Sequence, residues 1–282
     1  MSEFSANILI AKIKELIIEA NTVLRPDVLE ALKKAQNTED KPNGQKVLGM
    51  LIENASLAQS EGKPLCQDTG YVHVYFGWPS NIALRNDLGE IVNEAVKQAY
   101  SEKPFRSSIV ADPLFERKNT SDNTPAAFVV RPAKDRNLKI KVLIKGAGSD
   151  NSSAVFMLNP ACASSELVKV VVEHVKANAA KSCPPLVVGI GIGSSFDKVA
   201  VLSKAALHRN LSEANKDARY AELERQILSE INNLGIGPSG LGGKTTALSV
   251  MIKQASCHMA SLPVAVNLNC YALRTAEATI GG

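Results

Sequence analysis

The chain has 282 residues, 45% of them hydrophobic and 21% charged, with 32 Lys and Arg against 28 Asp and Glu and a net charge of +4. That length and composition allow a large core, folded as one domain or two. The charge is too mild, without a basic run of about five residues, to suggest a nucleic-acid binder, but it suits an anionic substrate. No apolar stretch of roughly eighteen residues exists to span a membrane.

The first twenty residues, MSEFSANILIAKIKELIIEA, are punctuated by Lys12, Lys14, Glu15 and Glu19 at helical spacing. They read as an amphipathic helix and not as a signal peptide, so a cytoplasmic address is expected. Pro26 suits the first position of a second helix, with Val28, Leu29 and Leu32 on one face. A third apolar-periodic run covers residues 45–59. Residues 63–70, KPLCQDTG, break the pattern, and residues 71–76, YVHVYF, predict a strand. A helix follows over 88–100. Residues 103–125 are polar and rich in Asn, Asp and Pro, the composition of a long functional or disordered loop. Strands are predicted over 127–131, 138–145, 186–192 and 263–268, helices over 166–179 and 218–233, and a glycine-rich loop over 235–243. Helices and strands mix without regular βαβ alternation. The expected class is therefore α/β of mixed α+β type, with helices surrounding a small central β-sheet.

Five cysteines, Cys66, Cys162, Cys183, Cys257 and Cys270, are scattered without a C-x-x-C pair. An odd number in a chain of this size argues against a disulfide framework. Cys66, Cys183 and Cys270 stand where elements end abruptly: before Gln67-Asp68-Thr69-Gly70, before Pro184-Pro185, and after the strand over 263–268. A thiol at a turn can point into a shared cleft, although most such cysteines are small buried hydrophobes. Cys162 and Cys257 are read as the latter.

Two glycine loops resemble nucleotide motifs and fail on spacing. Gly189-Ile190-Gly191-Ile192-Gly193 meets Ser194 where a dinucleotide fingerprint needs glycine. Gly243-Lys244-Thr245 lacks the P-loop's first glycine, since Pro238 holds that position. Both read as tight turns with backbone N–H groups exposed, which can hold an anion. Of the four histidines, His73 and His174 read as structural or solvent-facing and His208, beside Arg209, as a cap. His258, in a Ser/Cys/Met loop before a strand, is the one in a functional setting.

Taken together, KPLCQDTG, DPLFERKNTSDNTP, KGAGSDN, SCPPLVVGIGIG, LGIGPSGLGGKTTA and SLPVAVNLNC resemble, in this order and over nearly the whole chain, the class I iron–sulfur fumarase and L-tartrate dehydratase family. The resemblance implies an Fe–S hydro-lyase α-subunit fold: residues 1–282 as a single catalytic domain, with a helical N-terminal portion over about 1–60. It implies a 4Fe–4S cluster held by Cys66, Cys183 and Cys270, leaving one iron without a protein ligand to act as Lewis acid. It places substrate binding on Gln67, Asp68, Arg106, Gly148 and His258, with Asp68 and His258 catalytic. Arg106 offers a planar fork for a carboxylate, and Asp68 an acceptor for a substrate hydroxyl or proton. One position departs: Ala147 stands where family members commonly carry glycine, and alanine disfavours a positive φ.

Longer relatives continue into a second domain, which holds the proton-abstracting base and further arginines. This chain is therefore expected to be the α subunit of a split enzyme, inactive without a separate β subunit, in an α2β2 hetero-oligomer, with a dicarboxylate substrate and no nucleic-acid or membrane partner. Hydration of fumarate to (S)-malate is the expected reaction, because DPLFERKNTSDNTP and KGAGSDN lean to the fumarase side. L-tartrate dehydration to oxaloacetate is the alternative within the class. A non-catalytic Fe–S sensor or electron carrier is the reading from another class, and the missing fourth cysteine weighs against it. A cluster-free scaffold is the last.

Overall fold

The computed structural model describes residues 2–3, 5–83, 86–134 and 136–281. In chain order the elements are β1 (Ser2–Glu3), α1 (Ala6–Thr22), α2 (Pro26–Thr38), α3 (Pro42–Glu61), β2 (Tyr71–Pro79), β3 (Ile82–Ala83), α4 (Leu88–Glu102), β4 (Ala127–Ala133), β5 (Leu138–Lys145), α5 (Ala147–Asn151) and β6 (Ala154–Leu158). They continue with α6 (Ser164–Asn178), a 3-10 turn (Ala179–Ser182), β7 (Leu186–Ser194), α7 (Phe196–Ala206), α8 (Ala218–Asn233), β8 (Ala247–Cys257), β9 (Leu262–Asn269) and β10 (Arg274–Ile280). The mixed α and β class is as expected. Eight of the strands divide between two four-stranded sheets, however, because β6, β8 and β10 join those legible in the sequence, and β1 pairs with β3 in a two-stranded one. Among the described residues no helix is long and apolar enough to cross a membrane.

The chain forms two compact units. The first comprises Met1–Arg25, Ala55–Ala147 and Arg274–Gly282. Its sheet has the order β10-β5-β2-β4, antiparallel except for β2 with β4. Alternation along β2 buries Val72, Val74 and Phe76 on one face, where Ile140, Val142 and Ile144 of β5 join them. On that face α1 contributes Leu9, Ile13, Leu16 and Ile17, spaced three and four apart as an apolar helix stripe requires. Helix α4 adds Ile91, Val92, Ala95, Val96 and Ala99. It starts on Asp87, whose carboxylate accepts the Glu90 N–H at 3.0 Å.

The second unit comprises Pro26–Asn54 and Gly148–Leu273, with sheet order β6-β9-β7-β8. The two central strands, β7 and β9, are covered on both faces, which explains the unbroken apolar run LVVGIGIG. Val188, Ile190 and Ile192 pack with Val168, Val171, Val175, Ile227 and Ile231 of α6 and α8. The alternate residues, Gly189 and Gly191, face α7. A Cβ on Gly191 would stand 2.4 Å from the Val199 carbonyl oxygen and 2.8 Å from the Ser203 nitrogen. The glycines that resemble a nucleotide fingerprint thus let a helix lie directly on a strand.

Two buried carboxylates close this unit. Glu224 on α8 takes the Ile252 N–H of edge strand β8 at 2.6 Å and pairs with Arg209 at 2.8 Å. Glu39, between α2 and α3, accepts the Lys244 N–H at 2.8 Å. A carboxylate of the chain itself thus fills the glycine loop whose amides the sequence left exposed.

Gly191→Ala is expected to cost about 1–3 kcal/mol by forcing α7 off the sheet. Chemical denaturation should report a lower midpoint at unchanged slope. An unchanged midpoint would mean that helix and strand are not in direct contact.

Candidate functional site

In the first unit the site is built on the turn before β2. Leu65 is buried and its N–H bonds the Asn21 carbonyl at 2.8 Å, which anchors the turn just before Cys66. The next two side chains, Cys66 and Gln67, are half-buried and exposed, and Asp68 is half-buried. Asp68 Oδ1 accepts the Gly70 N–H at 3.0 Å and Oδ2 accepts the Ala147 N–H at 2.8 Å. Ala147 has no positive φ, so the alanine in KGAGS opens α5 without strain. The hydroxyl of Thr69 donates to the Arg106 carbonyl at 2.7 Å and ties the main chain at Arg106, whose side chain is exposed, to the turn that carries Gln67 and Asp68.

The polar loop carrying Arg106 is ordered by its own side chains. Asp112 accepts backbone N–H bonds from Leu114, Phe115 and Glu116, and these bonds, that of Glu116 foremost, hold its carboxyl below the usual range. Asn123, fully buried, donates to the Gly70 carbonyl at 3.1 Å and accepts the Ser108 N–H at 2.8 Å. The Asn and Asp content that marked this stretch as irregular supplies the bonds a strand ladder would otherwise make.

Tyr100 and Arg274, neither singled out by the sequence, complete the turn. The Tyr100 hydroxyl donates to the Thr69 carbonyl at 2.5 Å and lies 3.2 Å from that of Gly70. Burial pushes its pKa up to about 12. Arg274 Nη1 donates to the Asp68 carbonyl at 2.6 Å. The only signal for Arg274 in the sequence is one charge in a small-residue run near Cys270.

In the second unit Gly148 is exposed near the start of α5, and a Cβ on it would stand 3.3 Å from the Lys181 carbonyl. Two residues after Lys181, Cys183 takes a left-handed conformation, φ 53° and ψ 67°, with its side chain exposed. Cys270 follows β9, and the next N–H, that of Tyr271, reaches the Cys183 carbonyl at 3.5 Å. Gly148, Cys183 and Cys270 therefore gather at one end of this unit.

His258 does not join them. It lies in the turn between β8 and β9, while Cys270 follows the far end of β9. At about 3.3 Å per residue, the strand alone separates them by roughly 23 Å. His258 Nδ1 accepts the Ala260 N–H at 3.1 Å, which leaves Nε2–H as an exposed donor. A cleft of about 550 Å³ beside it is lined by Met157, Ser194, Phe196 and Ser256. Cys257 is exposed with its thiol on the Ser261 carbonyl, not buried packing as its sequence context suggested. His174 is structural: Nε2 meets the Ser152 carbonyl at 2.8 Å.

Among the described residues no group of three or more His, Cys, Asp or Glu side chains is gathered for a metal ion. Cys183 and Cys270 belong to one unit and Cys66 to the other. The chemistry of the donors nonetheless fits an iron–sulfur cluster. All three are thiols at element ends, none fully buried, and thiolates are the ligands such clusters take.

The Asp68 carboxylate, and Arg106 whose main chain is tied to the same turn, have the chemistry to meet an anionic substrate. Comparison with known proteins agrees. The family model for fumarate hydratase (Fumerase) matches residues 10–279. A protein of Methanocaldococcus jannaschii, provisionally named L(+)-tartrate dehydratase subunit alpha, is 39% identical over 93% of this chain and 94% of its own. The L(+)-tartrate dehydratase subunits alpha of Escherichia coli strain K12 and Shigella sonnei are each 30% identical over 97% of this chain and 92% of theirs. The chain belongs to the fumarate hydratase (Fumerase) family.

The shifted Tyr100 sets a pH test. Below pH 10 its hydroxyl is neutral in both folded and unfolded chains. Between its ordinary value of 10.0 and about 12 the unfolded chain ionises and the folded one does not. Stability is therefore lost as pH rises through that window, by up to about 2–3 kcal/mol. Tyr100→Phe should be about 1–3 kcal/mol less stable at neutral pH, and its deficit should shrink as pH rises from 10 to 12. Equilibrium unfolding of both proteins measures this, and a constant gap would show that the hydroxyl ionises equally in both states.

Proposed function

We propose that this chain is the α subunit of an iron–sulfur hydro-lyase that hydrates fumarate to (S)-malate in the cytoplasm, in an α2β2 assembly with a separate β subunit. The observation that carries the reading is the bond from Thr69 to the Arg106 carbonyl, which ties the main chain at Arg106 to the turn that carries Gln67 and Asp68, within a chain of the fumarase family. A β partner is supported by the subunit names of the relatives. The same names favour a second reading on substrate, dehydration of L-tartrate to oxaloacetate.

Cys66, Cys183 and Cys270 are the proposed holders of a 4Fe–4S cluster. When bound, the cluster supplies an iron without a thiolate ligand, able to polarise a substrate hydroxyl. The chain's own groups do the rest. Arg106 clamps one substrate carboxylate with two parallel N–H donors. The Gln67 amide and the Gly148 N–H add neutral donors that fix orientation. Asp68, with each carboxylate oxygen held by one backbone N–H, keeps lone pairs to accept the substrate hydroxyl or its proton. His258 donates from Nε2–H to the second carboxylate. Its distance from Cys183 and Cys270 supports an arrangement in which His258 of one α copy serves the site of another.

In anaerobic αβ complex, Cys66→Ser, Cys183→Ser and Cys270→Ser should each abolish bound iron and sulfide, and Cys162→Ser and Cys257→Ser should keep them. The intact complex should hydrate fumarate, and a higher kcat/KM for L-tartrate would select the second reading. Retained iron in Cys270→Ser would remove that ligand from the set.

Sharing of His258 between copies has its own test. Complexes of His258→Ala and of Cys183→Ser, each inactive alone, should regain about a quarter of wild-type activity when mixed through dissociation and reassembly, since random pairing gives one mixed dimer in two and one intact site of two within it. No recovery from mixtures that reassemble would place His258 in its own chain's site.

A further inference from the structure

Arg274 opens β10 with only 1% of its surface exposed, the largest fully buried side chain among the described residues. A buried guanidinium is costly unless its charge and its donors are answered. Nη1 donates to the Asp68 carbonyl at 2.6 Å and to Asn21 Oδ1 at 3.3 Å, while Nε, also buried, has no hydrogen-bond partner among the described residues. An arginine kept in such a place at partial satisfaction points to a task beyond packing.

The neighbouring glycine shows what that task is. Where a Cβ on Gly146 would stand, Arg274 Nη2 is 3.2 Å away and Asp68 Oδ2 is 3.3 Å away. Gly146 thus leaves the space between guanidinium and carboxylate open, and any larger residue would wedge into it. The next residue, Ala147, gives its N–H to the same Oδ2. Asp68 is therefore held at three points: its carbonyl by Arg274, one carboxylate oxygen by Gly70 and the other by Ala147.

We propose that Arg274 is a positioning residue for Asp68, a buried cation that fixes both the main chain of the Cys66–Gln67–Asp68 turn and the direction of the Asp68 carboxylate. Arg274 touches no substrate and acts through Asp68. The catalytic side of this proposal rests on the reading of Asp68 as the acceptor of the substrate hydroxyl or proton. The structural side stands without it.

Two measurements test it. Hydrogen exchange on the full chain reads positioning directly. In Arg274→Lys the amides of Gly70 and Ala147, which report the Asp68 carboxylate, should lose protection about tenfold or more, while Val74 and Val142 in the sheet keep theirs. Equal protection in variant and wild type would overturn the proposal, as would uniform loss across the sheet. Should Arg274→Lys fail to fold, Asn21→Ala, which removes the group orienting Nη1, serves in its place with the same pattern expected. Kinetics in the αβ holo-complex then form a double-mutant cycle. At full iron and sulfide content Arg274→Lys should lower kcat about 10- to 100-fold with little change in KM. In an Asp68→Asn background the same substitution should change kcat by less than about threefold. Multiplicative effects would make Arg274 merely structural. Absence of hydro-lyase turnover in the wild-type complex would instead count against the functional reading, and the exchange result would still decide for or against the positioning role.

Discussion

The carbonyl oxygens of Asp68, Thr69 and Gly70 lie in a turn that belongs to neither helix nor strand, and each must find a donor from elsewhere in the chain. Arg274 answers the first, Tyr100 the second, and Asn123 the third with help from Tyr100. A buried carbonyl without a donor costs about 1–3 kcal/mol. The turn therefore holds its shape only when α4, the loop over 103–125 and β10 are all in place. The thiol of Cys66, the amide of Gln67 and the carboxylate of Asp68 are consecutive, so whatever fixes the three carbonyls aims these side chains too.

The second unit solves a different problem. Its sheet is covered on both faces, and the helix on one face lies so close that the strand beneath can carry only glycine at the contact. A rigid helix–sheet sandwich fixes the two ends of β7 and β9, and each end carries a turn with chemical potential. Cys183 and Cys270 share one end through the Tyr271 N–H, and His258 stands at the other. The length of β9 keeps His258 and the two cysteines apart within one chain.

Much of this was legible in the chain. The helix over 218–233, the strand over 138–145 and the proline-opened helix at Pro26 follow from periodicity and capping, since such segments are governed by neighbours a few residues away. The glycine loops fail nucleotide spacing in the sequence, and in the structure they let α7 onto β7 and meet the Glu39 carboxylate. Helix α7 and strands β6, β8 and β10 were not legible. Strand β8 ends in the polar residues KQASC, and β10 is a run of small residues with a buried arginine at its head, so neither shows a period. These elements form because partner strands complete their hydrogen bonds.

The sequence by itself determined the family, the class of fold, and the side chains with chemistry to offer: three cysteines at turns, Asp68 beside one of them, and Arg106 in a polar loop. These depend on residue identity and local order, which are written directly in the chain. Only the tertiary structure decided that Arg106 is tied to the Asp68 turn, that Cys183 and Cys270 share an end of one sheet while His258 occupies the other, and that Arg274 stands behind Asp68. Those relations depend on strand length, sheet order and the pairing of buried donors with acceptors far apart in sequence, and no local pattern encodes which distant partner satisfies a buried group.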